Sequence, residues 1–185
     1  MPHTSLVSVG RNSESVVGSE LAGYEIDALI GRGGMGAVYR AEEEGLHRKV
    51  ALKVIAPELA QDERFRERFL RESQIAASLD HPHVIPIYQA GEEGGVLFLA
   101  MRYVEGTDLA KLVASEGALE PRRAVELLSQ VAEALDAAHE QGLVHRDVKP
   151  SNVLIAEAAG KEHSRAMWFR PATLRSHVRE GRFFG

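Results

Sequence analysis

The eight residues His145-Arg146-Asp147-Val148-Lys149-Pro150-Ser151-Asn152 constrain this chain more than any other stretch, because they fit the pattern H-R-D-x-K-x-x-N at every fixed position. The spacing has a chemical reason. An aspartate can accept or orient the proton of a hydroxyl, and an asparagine five residues later can reach a magnesium ion that bridges phosphates. Both groups must come from one rigid loop, so the fold has to hold a polar segment still between two regular elements. The plainer alternative, an ordinary polar loop after a helix, does not account for five matched positions.

Two motifs upstream point at the same ligand. Gly31, Gly33 and Gly36 form G-x-G-x-x-G, whose glycines let a backbone approach phosphate oxygens and aim N–H groups at them. A dinucleotide-binding fold uses this spacing but needs a helix after it. Here Ala37-Val38-Tyr39-Arg40 follows, and its β-branched and aromatic residues favour a strand. Taken alone, a plain glycine-rich hairpin stays open as an alternative. Val50-Ala51-Leu52-Lys53 then matches V-A-[IL]-K, in which a strand lysine points toward bound phosphates; by itself, Lys53 reads equally as a solvated lysine. Glu72 follows Phe69 by three residues and precedes Ala76 by four, which sets a carboxylate beside an apolar helical stripe where it needs a cationic partner. Lys53 is the natural one, while Glu63 and Glu67 fit a solvated face.

Hydrophobic periodicity orders these motifs. Residues 1–20 are polar, rich in Ser and Gly, and read as a mobile leader. Strand patterns run from Tyr24 to Ile30, Ala37 to Ala41 and Lys49 to Ile55. A helix from Asp62 to Leu79 places Phe65, Phe69, Ile75, Ala76 and Leu79 on one face. Two further strands, Ile85 to Gln89 and Val96 to Met101, complete a five-stranded antiparallel sheet carrying one helix. A helix from Pro121 to Gln141 buries Val125, Leu128, Ala132, Leu135 and Ala138, and a short strand from Val153 to Ile155 follows the polar loop.

Composition excludes several classes. A formal net charge of -5 gives no basic footprint for nucleic acid, and the lack of cysteine removes disulfides and thiolate zinc sites. No apolar run approaches the roughly 20 residues of a membrane helix. The chain therefore reads as cytoplasmic, with no membrane segment of its own.

With its motifs in this order, the stretch from Tyr24 to Ile155 resembles the protein kinase family, in its bacterial serine/threonine branch. The resemblance implies an α+β, protein-kinase-like fold: a small ATP-binding lobe over residues 21–104 and a partial, helical large lobe over 105–163. It implies ATP and Mg2+ as cofactors and protein substrates with Ser or Thr hydroxyls. On it, Gly31-Arg32-Gly33-Gly34-Met35-Gly36-Ala37-Val38 would cover the phosphates. Lys53 would hold the α- and β-phosphates with Glu72 as its helix partner. Asp147 would be the catalytic base, Lys149 its serine/threonine-type neighbour, and Asn152 the magnesium ligand. Met101 would be the gatekeeper and the Val104 backbone would bond adenine. Asp108 would fall near the ribose, and Ala51, Val38 and Leu154 would sandwich the ring.

The pattern breaks after the polar loop. Family members continue with a strand ending in Asp-Phe-Gly and later Ala-Pro-Glu, and neither follows Asn152 here. Residues 164–185 carry Arg165, Arg170, Arg175, Arg179 and Arg182 against the single acid Glu180, with Trp168, Phe169, Phe183 and Phe184. Such a tail reads as out-of-frame translation, with a basic arm for anionic partners as the rival. The expected protein is a truncated kinase of weak or no activity alone. The rival readings are a non-catalytic nucleotide-binding or regulatory fragment and, more distantly, a dinucleotide-dependent oxidoreductase.

Overall fold

A computed structural model of the chain describes residues 16–158 and 161–166. It begins with β1 (Glu20–Leu21), β2 (Tyr24–Gly33), β3 (Gly36–Glu43) and β4 (Arg48–Ile55). The short helix α1 (Pro57–Ala60) and α2 (Glu63–Ala77) lead to β5 (Ile87–Glu93) and β6 (Val96–Arg102). These six strands form one antiparallel sheet in the order β1-β2-β3-β4-β6-β5. The five long strands are those the sequence pattern demands, and β1 adds a two-residue edge.

That edge revises the boundary of the leader. Residues 16–20 belong to the fold: Val16 is 1% exposed, and the Gly18 N–H donates to the Ile26 carbonyl at 2.7 Å. Burying one valine and one leucine on the sheet outweighs the polar character of the residues between them. The remaining leader, residues 1–15, lies outside the described residues.

The central strand β4 is buried on both faces. Val50, Leu52 and Val54 join Tyr24, Ile26, Tyr39 and Phe98 in a core made only of curled sheet and the segment from Val16 to Ala22. Ala51 and Ile55 face the other way, into a core shared with Phe65 and Phe69 of α2. Asp62 caps α2 by accepting from the Arg64 and Phe65 N–H groups. The buried face of α2 is Phe65, Phe69, Ser73 and Ala76; Ile75, expected inside, is 36% exposed. Ser73 is tolerated there because its hydroxyl donates to the Phe69 carbonyl at 2.6 Å. Strand β5 starts two residues later than expected, since Pro86 has no N–H to pair; its carbonyl instead accepts from Arg102.

Beyond the sheet, β7 (Thr107–Asp108), α3 (Leu109–Glu116) and α4 (Pro121–Glu140) are followed by a 3-10 turn at Pro150–Asn152, then β8 (Val153–Ala158) and β9 (Lys161–Ala166). β7, β8 and β9 form a second antiparallel sheet, with β9 alongside α4. Helix α4 spans its expected length, but its buried residues are Leu127, Val131, Ala134 and Ala138. Val125 and Leu128, expected in the core, are 63% and 57% exposed. The helix therefore carries two apolar stripes, of which only one is covered here. Among the described residues no helix is long and apolar enough to cross a membrane.

Candidate functional site

The glycine-rich segment is the tip of the β2–β3 hairpin. Gly31 lies opposite Val38, Arg32 opposite Ala37 and Gly33 opposite Gly36, leaving Gly34 and Met35 as the turn. Gly36 has φ +132°, and a Cβ on it would overlap the Val54 carbonyl oxygen, so the fold itself demands glycine there. Gly33 and Gly34 face open space, where a Cβ would meet nothing within 4 Å. The tip is tied back to the end of β4 by the Ala56 N–H, which donates to the Met35 carbonyl at 2.9 Å. Ala37 departs from its expected part: its side chain joins the core on the far face of the sheet, leaving only its backbone to the loop.

Lys53 stands in the middle of β4, opposite Val38 on one side and Leu99 on the other. Directly opposite residues share a face, and Val38 and Leu99 both pack in the α2-side core. Glu72 precedes the buried Ser73 on α2 and is itself half-buried, whereas Glu63 and Glu67 are exposed as expected. The residues expected around an adenine come from four segments yet meet in one cluster. Ala51 and Met101 are buried there, and Val38, Val104 and Leu154 pack partly buried against them. Met101 lies opposite Ala51 across the β4–β6 pair. The main-chain groups of Val104 make no hydrogen bond among the described residues. Gly106, with φ +154°, lets this linker cross β8 so closely that a Cβ would overlap the Ile155 carbonyl oxygen.

Asp108 has a structural job. Its carboxylate caps α3, accepting from the Lys111 N–H at 2.9 Å, and pairs with the Lys111 ammonium at 3.2 Å. Burial pushes this carboxyl up, but the Lys111 N–H and ammonium together with the Ala110 N–H hold it below the ordinary carboxylate value. The helix it caps escaped the sequence reading, although Asp108 and Gly117 are ordinary start and stop residues.

The polar loop brings three of the expected residues together. Asn152 donates its Nδ2 to the Asp147 carbonyl at 2.8 Å and to Asp147 Oδ2 at 3.1 Å. Lys149 Nζ stands 3.1 Å from the same Oδ2. Three of the expected residues thus meet on one carboxylate whose side chain is 22% exposed. Arg146 takes a left-handed φ of +59°, a strain of the kind that persists where surroundings over-determine a loop. One such support is His145, buried at 6% exposure, whose Nδ1 faces the Asp147 N–H at 3.2 Å. The motif contains His145, but sequence alone assigned it no part. With two donors fixed on Asp147, the Asn152 amide keeps its Oδ1 as the acceptor, a hard oxygen that suits magnesium.

A sequence profile described as "Protein kinase domain" matches residues 24–165. PknH, a serine/threonine-protein kinase of Mycobacterium tuberculosis, is 51% identical over 142 residues, covering 77% of this chain and 23% of its own length. PknD of the same species is 48% identical over 139 residues, covering 75% of this chain and 21% of its own length. The chain thus spans about a quarter of the curated relatives it matches. A crystal structure of the Mycobacterium tuberculosis PknI kinase domain, a double mutant, superposes with a TM-score of 0.77 at 37% identity, over 86% of this chain and 65% of that one. With the sheet, the glycine hairpin and the Asp147–Asn152 loop in the family's order, the chain belongs to the protein kinase family, in its bacterial serine/threonine branch.

Proposed function

We propose that the chain grips ATP between the β2–β3 hairpin and the Asp147–Asn152 loop, as the nucleotide-binding and catalytic-loop portion of a serine/threonine protein kinase. The observation that carries this reading is the convergence of Asn152 and Lys149 on the Asp147 carboxylate. In the proposed reaction Asp147 orients a substrate Ser or Thr hydroxyl and takes its proton. The hydroxyl oxygen bonds to the γ-phosphorus as the bond from that phosphorus to the ADP oxygen breaks. Lys149 would steady the transferring charge, and Lys53 would hold the α- and β-phosphates with Glu72 fixing its ammonium. Asn152 Oδ1 would be one ligand of a magnesium ion, which when bound neutralises phosphate charge. Val38, Ala51 and Leu154 would enclose the adenine, with Val104 bonding its edge and Met101 closing the back. A cytoplasmic setting fits this use of ATP.

A second reading, nucleotide binding without turnover, is favoured by the absence of Asp-Phe-Gly after Asn152. Losing that carboxylate would remove several kcal/mol of metal-borne stabilisation, roughly a thousandfold or more in rate. Phosphoryl transfer from radiolabelled ATP to a Ser- and Thr-containing protein, measured beside an ATP-binding titration, separates the two. Turnover abolished by Asp147→Asn supports the kinase, and binding without turnover supports the second. In both cases Lys53→Met should abolish ATP affinity; unchanged binding in that variant defeats the site assignment.

A further inference from the structure

Helix α2 lies on the sheet by one buried stripe, Phe65, Phe69, Ser73 and Ala76. At about 100° per residue, Arg66 and Glu72 fall on opposite flanks of that stripe, and both are half-buried. Apolar packing is non-directional, whereas an ion pair on a flank has a direction and opposes roll about the helix axis. The Arg66 flank carries such a pair. On β5, Glu92 lies opposite Leu97 and Ala90 opposite Leu99, and both leucines belong to the α2-side core, so Glu92 faces α2. Its Oε2 accepts from Arg66 Nη2 at 2.5 Å. Arg66 Nη1 donates to Glu63 Oε2 at 3.0 Å, but Glu63 rides on the same helix. The Arg66 and Glu92 side chains are 34% and 28% exposed, and Arg66 Nε is buried without a hydrogen bond among the described residues. The guanidinium therefore lies against the fold and not out in water, where such pairs add least. On the other flank, Glu72 is the residue proposed to hold Lys53, which lies opposite Leu99 in the same row as Ala90.

We infer that Arg66 and Glu92 are positioning residues: their pair holds α2 at the roll where Glu72 meets Lys53, and so sets the grip of Lys53 on phosphate. This rests on the nucleotide reading above and deepens it with a role for two residues outside the kinase motifs. In that reading Glu72 acts only through the Lys53 ammonium. A rolled α2 should therefore weaken ATP and spare adenosine, which has no phosphate. A pair that merely stabilised the fold would affect both ligands alike.

Titration calorimetry on the full chain with magnesium and ATP, and separately with adenosine, tests this in the wild type, Arg66→Leu, Arg66→Lys, Glu92→Gln and Glu63→Gln. The expected result is an ATP affinity about two- to fivefold lower in Arg66→Leu and Glu92→Gln, partly recovered in Arg66→Lys, which keeps the charge. Adenosine affinity should stay unchanged throughout, and Glu63→Gln should match the wild type. If the wild type does not bind ATP, the nucleotide reading fails and this inference with it. If the wild type binds ATP and Arg66→Leu and Glu92→Gln bind it equally well, the pair does not position α2, while the nucleotide site stands. An equal loss of ATP and adenosine also overturns the inference. So does a loss in Glu63→Gln as large as that in Glu92→Gln, because Glu63 belongs to α2 itself and cannot tie the helix to β5. Should Arg66→Leu fail to fold by thermal melting, Glu92→Gln, which removes a charge and keeps the size, carries the same comparison.

Discussion

Gly33 and Gly36 share one hairpin and one motif, yet they are glycine for different reasons. Gly36 needs a left-handed φ and has no room for a Cβ, so Gly36→Ala should destabilise the fold by about 2–4 kcal/mol, read as a lower melting temperature. Gly33 has open space around it, so Gly33→Ala should melt unchanged and instead weaken ATP binding, seen by titration. Asn152→Asp would set a second carboxylate against Asp147, and should cost folding stability at neutral pH that returns as either acid is protonated. That Asp147, Lys149 and Asn152 come together was legible because the motif fixes their spacing on one short loop. Ala37 and Asp108 were not: which face a strand residue takes and which carboxylate a helix start claims depend on register and neighbours that motif spacing does not encode.

Helix α4 shows the same division at the next scale. Its start at Pro121 and its length were legible from proline and periodicity, but it carries enough apolar residues for two stripes, and the sequence reading mixed them, joining Val125, Leu128 and Ala132 of the exposed stripe to Leu135 and Ala138 of the buried one. Leu127→Ala should cost about 2–4 kcal/mol on denaturation, whereas Leu128→Lys should leave the melting temperature unchanged and reduce concentration-dependent association on a sizing column. Helix α3 offers a pH test through its cap. The Asp108 carboxyl is depressed in the folded state, so its contribution is complete above the unfolded value of 3.8 and disappears as pH falls through the folded one. Asp108→Ala should lose about 1 kcal/mol at neutral pH, and the deficit against the wild type should shrink in melts run below pH 3.8.

Across the whole molecule, one core joins the two halves. Ala134, Ala138 and Leu143 of the helical part pack in the same cluster as Ile85, Leu97 and Leu99 of the sheet. Leu143→Ala should therefore speed amide hydrogen exchange in β6, in the other half of the fold, and not only around the loop it precedes. The general plan was readable from alternation in the sheet and from the order of the motifs. The second small sheet was not, because β7 has two residues and gains its place only by pairing with β8.

The Met35 carbonyl and its partner, the Ala56 N–H, have a kinetic consequence. Past the β3–β4 ladder, this main-chain bond and the packing of the Met35 side chain on the α2-side core hold down the hairpin tip. Breaking the bond costs about 1 kcal/mol net, and raising the flap costs the packing of the Met35 side chain as well, so the lowered position prevails. Entry and escape of a ligand beneath it would then need both ties released together, a far smaller step than unpairing the sheet.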